Sequence, residues 1–231
     1  MAINVDTVYR TVLLIINKEQ RGYITPDEFN KTSTQVQLEI FNEYFESVNQ
    51  QIRIPDNDTE YSDRVKNLQE KIAIFQTDGD CAYGTGSFSI PDSTNFYKLG
   101  TVIYNDDKEV QYVQPNELLE LNLSPITKPS NYWPVYTYKD FKINVYPKTI
   151  TSGISCTYLK KPLDPIWNFT LGANYQYVYN PTTSVNFNLH PIEQTNLITR
   201  ILLYSGIVIK DPQIIQIASQ QAQTETINSK S

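Results

Sequence analysis

The chain has 231 residues, 40% of them hydrophobic and 19% charged, and a formal net charge of −6 at pH 7. This length allows one domain with a sizeable hydrophobic core, or a body with a small appendage. Binding to nucleic acid depends on Lys and Arg side chains that neutralise phosphates. The excess of acidic residues therefore argues against a protein whose main task is to grip nucleic acid.

The two cysteines, Cys81 and Cys156, lie outside any C-x-x-C spacing. This arrangement indicates neither a zinc site nor a disulfide framework, and we expect two reduced thiols. The apolar runs at 12–16 and 201–209 are shorter than a signal-peptide core with its cleavage site requires, and shorter than the about 20 residues of a membrane span. We therefore expect a soluble protein that does not interact with membranes.

The first third of the chain has helical periodicity. A first helix is predicted from apolar residues at spacings of three and four between Val8 and Ile16, with Asn4 or Asp6 as its N-cap and Gly22 at its end. A third helix is predicted after Pro55, from a regular seam of apolar residues at Tyr61, Val65, Leu68, Ile72 and Phe75.

The start of the second helix gives the clearest local signal in the chain. Thr25 is placed as N-cap, Pro26 as the first helical residue, and Glu28 can reach back to the Thr25 amide, which together make a capping box. The helix then carries an apolar stripe wider than one partner helix would cover. We therefore predict subunit-interface residues within this stripe, at Phe41, Tyr44 and Phe45.

From residue 78 onward the pattern changes to short alternating segments rich in Tyr, Val, Ile and Thr, which predicts strands and turns. Hairpin turns are expected at 105–107 and 139–140, a short helix at 115–121, and a loop at 124–134. The strands are predicted at Phe96–Tyr104, Val110–Gln114, Val135–Lys139, Phe141–Tyr146 and Ile154–Leu159.

Helix returns at the end of the chain. His190 is a predicted cap before Pro191, and Asp211 is a predicted cap before a further short helix. The predicted fold class is α+β: an N-terminal helical hairpin plus a third helix, a central antiparallel β region and C-terminal helices. The predicted regions are helical at 1–77, β-rich at 78–189, C-terminal helices packing on the helical region at 190–219, and a polar tail at 220–231.

Residues 17–28 partly match the spacing of a calcium-binding EF-hand loop. Asn17, Glu19, Gly22 and Glu28 occupy the first, third, sixth and twelfth loop positions. The fifth position, which normally supplies an oxygen ligand, is Arg21, a cation without an acceptor atom. A helical turn with a capping box accounts for the same residues, so we expect no metal site and keep a degenerate calcium-binding module as an alternative.

Support for enzymatic chemistry is weak. His190 is the only histidine, and the capping interpretation already uses it. A nucleophile elbow is missing, and the glycines around Thr85 lack the lysine and spacing of a phosphate-binding loop. We expect no catalytic residues, no cofactor and no enzyme activity. The 17 tyrosines are typical of strand surfaces and also of subunit interfaces, because each buries an apolar face and keeps a hydrated hydroxyl.

Several segments of the sequence resemble those of one protein family. Val5–Arg10 and Asn17–Asn30 are similar to the start of a structural protein of crAss-like phages of gut bacteria and of related short-tailed phages. Later phrases follow the same order over nearly the whole chain: Tyr158–Pro162 with Pro165 and Trp167, Phe187–Pro191 with Glu193, and Gly206–Pro212.

The resemblance implies a tail-adaptor-like ring subunit of the head-to-tail connector or tail barrel, located in the neck or tail of a virion and synthesised in the cytoplasm of the bacterial host. The implied partners are further copies in a homo-oligomeric ring, commonly twelve-fold, together with the portal protein and other neck and tail ring proteins. Genomic DNA would pass through the channel without specific binding. We also expect the polar tail to become ordered only on a neighbouring protein.

Overall fold

The computed structural model describes residues 2–18, 23–53, 66, 68–209, 216, 219–221 and 223–224; the side chains of 18, 46–53 and 207–209 are not described. The chain divides into two compact units. The helical unit comprises Met1–Ile74 and Pro162–Ser231, and the sheet unit comprises Phe75–Lys161. The predicted β-rich region, 78–189, therefore extends beyond the sheet unit, because residues 162–189 belong to the helical unit.

The elements are numbered in chain order. Besides those labelled, residues 68–73 are helical and Pro191–Glu193 form a 3-10 turn. The labelled elements are α1 (Val5–Lys18), α2 (Pro26–Arg53), β1 (Gln76–Asp80), β2 (Ala82–Gly84), β3 (Ser87–Ser89), β4 (Phe96–Tyr104), β5 (Lys108–Tyr112), α3 (Pro115–Leu123), β6 (Val135–Lys139), β7 (Lys142–Tyr146), β8 (Ile154–Lys160), β9 (Phe169–Leu171), β10 (Tyr177–Tyr179) and α4 (Gln194–Ile209).

Side-chain caps begin the helices of the helical unit. Asn4 Oδ1 accepts the amides of Asp6 and Thr7 at 2.8 and 3.1 Å before α1. At α2 the predicted capping box is present, since the Thr25 amide donates to Glu28 Oε2 at 2.8 Å and the Glu28 amide donates to Thr25 Oγ1 at 3.3 Å. The Glu28 carboxylate, a ligand in the calcium-loop alternative, is therefore held by Thr25.

Helices α1 and α2 each pack against α4. Between themselves, α1 and α2 meet through the rings of Tyr9 and Phe29, whose centroids are 4.8 Å apart. The chain is mixed α/β, as predicted, but the prediction of an N-terminal helical hairpin is corrected. The apolar stripes of both helices are broad, and the C-terminal helix supplies the shared partner that buries them.

The residues predicted as a subunit interface on α2 are largely covered within the chain itself. Phe41 is 1% exposed and Tyr44 is 5% exposed, so both rings lie in the core of the helical unit. Phe45 is half-buried, and its ring meets that of Phe41 edge-on at 4.9 Å between centroids. An aromatic ring that is already removed from water within one chain has little surface left to bury against another chain.

Polar side chains of α2 bind the extended chain that follows Pro162. Asn30 donates to the Trp167 carbonyl at 3.3 Å and accepts the Trp167 amide at 2.8 Å. Buried Gln37 donates to the Leu163 carbonyl at 2.7 Å and accepts the Asn188 amide at 2.9 Å. These contacts place residues 162–189 in the helical unit, because buried backbone groups require hydrogen-bond partners.

The sheet unit is built on eight strands in the order β1-β8-β4-β5-β6-β7-β3-β2. All neighbouring strands are antiparallel except β5 and β6, which are parallel. The strands β1 and β2 lie at opposite ends of this order although only Cys81 separates them in the chain. The sheet must therefore curve back on itself in a barrel-like manner.

The strand predictions agree closely where alternation is regular. The bounds of β4 and β6 are those predicted, and β5, β7 and β8 are displaced by one or two residues. Both predicted hairpin turns are present, with positive φ at Asn105 and Asp106 and at Asp140 and Phe141. Five short strands were missed: β1, β2, β3, β9 and β10.

The two cysteines are separate in sequence but adjacent in the sheet unit. Cys81 and Cys156 are both buried and free, with Cys81 Sγ donating to Cys156 Sγ at 3.2 Å. The hydrogen bond to Cys156, together with burial, raises the pKa of the Cys81 thiol. The pair packs among the apolar residues of the sheet core.

Some predictions fall on residues that the structure does not describe. These include Glu19, Arg21 and Gly22 of the calcium-loop alternative, much of the third helix, and the Asp211 cap. Of the predicted polar tail, residues 220, 221, 223 and 224 are described, and they are helical. The rest of the tail lies outside the described residues.

Replacement of Thr25 tests the capping box. We expect Thr25→Ala to lower the free energy of unfolding by about 1 kcal/mol, because the Glu28 amide loses its side-chain acceptor. Thr25→Ser, which keeps the hydroxyl, is the matched control and should stay within a few tenths of a kcal/mol. The measurement is thermal unfolding with and without calcium. A change confined to the calcium-containing samples would instead favour a metal-binding loop.

A buried ion pair joins the helical segment 68–73 to the 3-10 turn. Lys71 Nζ lies 2.6 Å from Glu193 Oε1, and Asn196 donates to Glu193 Oε2 at 3.1 Å. Burial raises the pKa of Glu193, but the hydrogen bond and charge of Lys71 outweigh it, so the pKa lies below its ordinary value. The ionised carboxylate therefore stabilises the folded state.

We expect Glu193→Gln to destabilise the chain by roughly 2–3 kcal/mol at pH 7, less than the 3–5 kcal/mol of a fully buried pair, because Lys71 retains contact with water. The folded pKa is depressed, so the contribution of Glu193 is complete above its unfolded pKa of about 4.3 and is lost as pH falls through the lower folded pKa. Urea unfolding of both proteins across pH should show the difference shrinking in acid. A pH-independent difference would contradict the ion-pair account.

Candidate interaction surface

The parallel pairing of β5 and β6 explains why one segment of the sheet unit is highly exposed. Because β5 and β6 run in the same direction, the chain must travel back along the sheet between them, which a tight turn cannot do. Helix α3 and the loop at 124–134 form this crossover. The helix begins at Pro115. The amide of the preceding residue, Gln114, donates to Glu117 Oε2 at 2.8 Å.

Helix α3 buries only one side. Leu118 packs with Val113 and Val135 in a small apolar cluster, and Leu121 packs partly against it. Leu119 and Leu123 are exposed. They are four residues apart and therefore share one face of the helix. This face stays in contact with water in the isolated chain.

The crossover loop exposes further apolar side chains. Ile126 is 94% exposed, Trp133 is 80% exposed, and Tyr132 is similarly open. Large exposed apolar side chains gathered in one segment are typical of interaction sites in soluble proteins. We call the exposed apolar residues of this segment the crossover surface: Leu119, Leu123, Ile126, Tyr132 and Trp133.

The loop that carries these residues is held by its own hydrogen bonds. Ser130 and Trp133 exchange backbone hydrogen bonds at 3.1 and 3.3 Å. The Thr127 hydroxyl donates to the Leu121 carbonyl at 3.1 Å, and the Lys128 amide donates to the Ser124 carbonyl at 3.0 Å. The rings are thus presented by a defined backbone conformation.

An aromatic groove lies beside the start of β5 and β6. It is a half-open cavity of about 760 Å³. Lys108 Nζ lies 4.8 Å from the centroid of the Tyr132 ring, and the Tyr112 ring meets Tyr136 edge-on at 5.5 Å. The groove residues, in chain order, are Asp107, Lys108, Glu109, Gln111, Tyr112, Tyr132, Trp133, Pro134 and Val135.

The chemistry of the groove suits binding. Its aromatic rings offer apolar area and edges, and exposed Asp107 and Glu109 add two carboxylates against the single cation of Lys108. Such a groove favours an apolar ligand that carries positive charge, and it repels phosphate. Within the described residues, no cluster of His, Cys, Asp and Glu could hold a metal ion.

The site residues predicted from the sequence belong neither to the groove nor to the crossover surface. Thr25 and Glu28 cap α2, and His190 Nδ1 accepts the Ile192 amide at 3.3 Å before α4, the role predicted for it. All three belong to the helical unit. From the sequence, residues 124–134 are predicted only as a loop. The signal available there was the adjacent pair Tyr132-Trp133 in a segment without strand or helix periodicity.

The helical unit has its own exposed apolar feature. The β9–β10 hairpin presents several apolar side chains to water, among them Tyr175 at a turn position with φ of 59°. At its base, the Trp167 ring stacks on Tyr179 with centroids 5.9 Å apart, and the Tyr9 ring contacts it at a tilt with centroids 4.3 Å apart. The exposed residues of the hairpin are Leu171, Tyr175, Tyr177 and Val178.

Comparison with known proteins gives no family assignment. A scan against protein-family models finds no match, and a search of curated proteins finds no significant relative. Among the described helices, none is both long enough and apolar enough to span a membrane.

The two tryptophans provide a matched test of the crossover surface. We expect Trp133→Ala to change the free energy of unfolding by less than about 0.5 kcal/mol, because the ring is exposed. Trp167 is 4% exposed, and Trp167→Ala should cost roughly 3–5 kcal/mol. Urea unfolding measures both effects. In acrylamide quenching, the fraction of tryptophan fluorescence that is easily quenched should vanish with Trp133→Ala. A large loss of stability in urea unfolding of Trp133→Ala would instead show that the Trp133 ring is buried.

Proposed function

We propose that this chain is a virion structural protein that forms a homo-oligomeric ring in the head-to-tail connector or tail barrel of a short-tailed phage. In this role it extends the DNA channel below the portal protein and docks tail components. The resemblance of several sequence segments to structural proteins of crAss-like phages supports the phage assignment. The exposed crossover surface is the structural observation on which the assembly role depends.

The crossover surface supports assembly for an energetic reason. Burial of apolar area contributes roughly 25 cal/mol per Å², so large apolar side chains left in water represent a driving force for association. The loop at 124–134 makes its own backbone hydrogen bonds, so little ordering entropy opposes docking. A preformed surface of this kind is expected in a subunit that assembles permanently.

The net charge of −6 agrees with a passive channel role. A ring through which genomic DNA moves must not bind phosphates strongly, and an excess of carboxylates limits such binding. The exposed crossover surface suits contacts with other proteins, and the acidic composition is poorly suited to holding DNA, so both features agree with this role. The proposed ring carries no catalytic task.

The purified chain should associate into ring-shaped particles with a central opening, alone or when mixed with the portal protein and neighbouring neck proteins. Negative-stain microscopy detects the rings, and light scattering gives the number of copies. Trp133→Ala provides a matched variant that stays folded but should associate more weakly. A chain that remains monomeric at high concentration with and without these partners, and that is missing from purified virions by mass spectrometry, would contradict the proposal.

A further inference from the structure

Strand β6 has the aromatic groove at one end and a hairpin tip at the other. Tyr132–Val135 border the groove where β6 begins, and the turn to β7 follows Lys139. Since β5 runs parallel to β6, with Gln111 opposite Val135, the acidic start of β5 lies at the groove end. The five residues of β6 separate the two features by roughly 15 Å.

The hairpin tip has an unusual backbone. Asp140 and Phe141 occupy the two central turn positions with φ of 53° and 55°. Turns of this type favour Asn-Gly, and positive φ is strained for a bulky side chain. The Phe141 ring nevertheless remains 49% exposed, edge-on to Phe96 at 5.7 Å between centroids. A strained backbone at a bulky, half-exposed ring motivates a functional hypothesis for this tip.

The tip carries two lysines and the single carboxylate of Asp140, so its net charge is positive. Lys139 and Lys142 are exposed and stand directly opposite each other across the hairpin. Like charges in this position repel. Among the ion pairs of the described residues, none includes either lysine. An acidic partner would relieve this repulsion.

The groove has the complementary character. Exposed Asp107 and Glu109 border its aromatic rings. Neither carboxylate takes part in an ion pair between described side chains. The tip offers one aromatic ring between two cations, and the groove offers aromatic rings with two carboxylates.

We propose that the β6–β7 tip of one copy docks in the aromatic groove of the next copy. Phe141 enters among the groove rings, and the two tip lysines pair with Asp107 and Glu109. This inference rests on the proposed function, because it names the contact between neighbouring subunits of the ring.

The arrangement explains how a ring could be generated. Tip and groove are different surfaces of one subunit, so the contact is heterologous and each copy has one free tip and one free groove. Head-to-tail contacts of this kind close into a ring when the rotation per subunit divides a full turn, and otherwise give filaments. Two-fold dimers, in which both copies use the same surface, are not expected from it.

Charge exchange tests the docking. The tip variant is Lys139→Glu with Lys142→Glu, and the groove variant is Asp107→Lys with Glu109→Lys. Sedimentation velocity should show that each variant alone associates at least about tenfold more weakly than the unaltered chain. An equimolar mixture should regain association, because each altered surface then meets an oppositely charged partner. A chain with all four changes should also regain it.

Two controls separate docking from folding and from charge alone. Lys66→Glu with Lys161→Glu makes the same charge change at exposed lysines outside the tip, the groove and the crossover surface, and should leave association unchanged. Phe141→Gly relieves the backbone strain but removes the ring contact with Phe96, so the melting temperature of the monomer should change little while association weakens. Weaker association without loss of monomer stability distinguishes a docking role from a structural one.

The outcomes separate this inference from the proposed function. Rings that form equally well with the tip or groove variant would overturn the docking contact while leaving the ring role intact. The same conclusion follows if the variants lose only the binding of another neck protein, since the groove would then hold a different partner. An unaltered chain that never associates would overturn both.

Discussion

The fold of the helical unit depends on hydrogen bonds from α2 side chains to the extended chain that follows Pro162. Asn30 and Gln37 use their side-chain amides to bind backbone groups of residues 163–167 and 188, at distances of 2.7 to 3.3 Å. These residues form no long strand pair, so the amides replace the partners that a sheet would supply. Without them the buried backbone would lack hydrogen bonds, and the stack around Trp167 would lose its support.

A second constraint shapes the sheet unit. The parallel pair of β5 and β6 requires a long return connection, and the small cluster around Leu118 buries only part of it. The apolar side chains on the rest of the crossover stay exposed. Surface available for assembly is thus a consequence of topology, and it lies next to the groove that the same strand ends create.

The two constraints bear differently on the proposed ring. The aromatic residues of α2 that suggested an interface are used to fill the helical core, so they stabilise the subunit. The groove and the β6–β7 tip lie at the ends of strands, where side chains are not covered by neighbouring strands. An assembly based on them would leave the core undisturbed, and the stability of the subunit and its association could be varied independently.

The sequence by itself determined features that are decided within a few residues. Thr25 and Glu28 cap α2, His190 caps the 3-10 turn, and the alternation of β4 and β6 sets their bounds. Hydrogen bonds between residues three positions apart, and the two-residue period of a strand, can be recognised without knowledge of the rest of the chain.

Only the tertiary structure decided which surfaces are buried and which segments pair. Asp78-Gly79-Asp80 has the composition of a turn, yet it is part of β1 because β8 supplies its hydrogen bonds. Cys81 meets Cys156 across 75 positions of sequence, and Phe41 lies in the core because α4 packs on α2. The exposed rings of the crossover follow from a parallel pairing that local alternation cannot indicate. These outcomes depend on pairing and packing with segments distant in the chain. A local sequence pattern does not indicate which distant segment will pair with it.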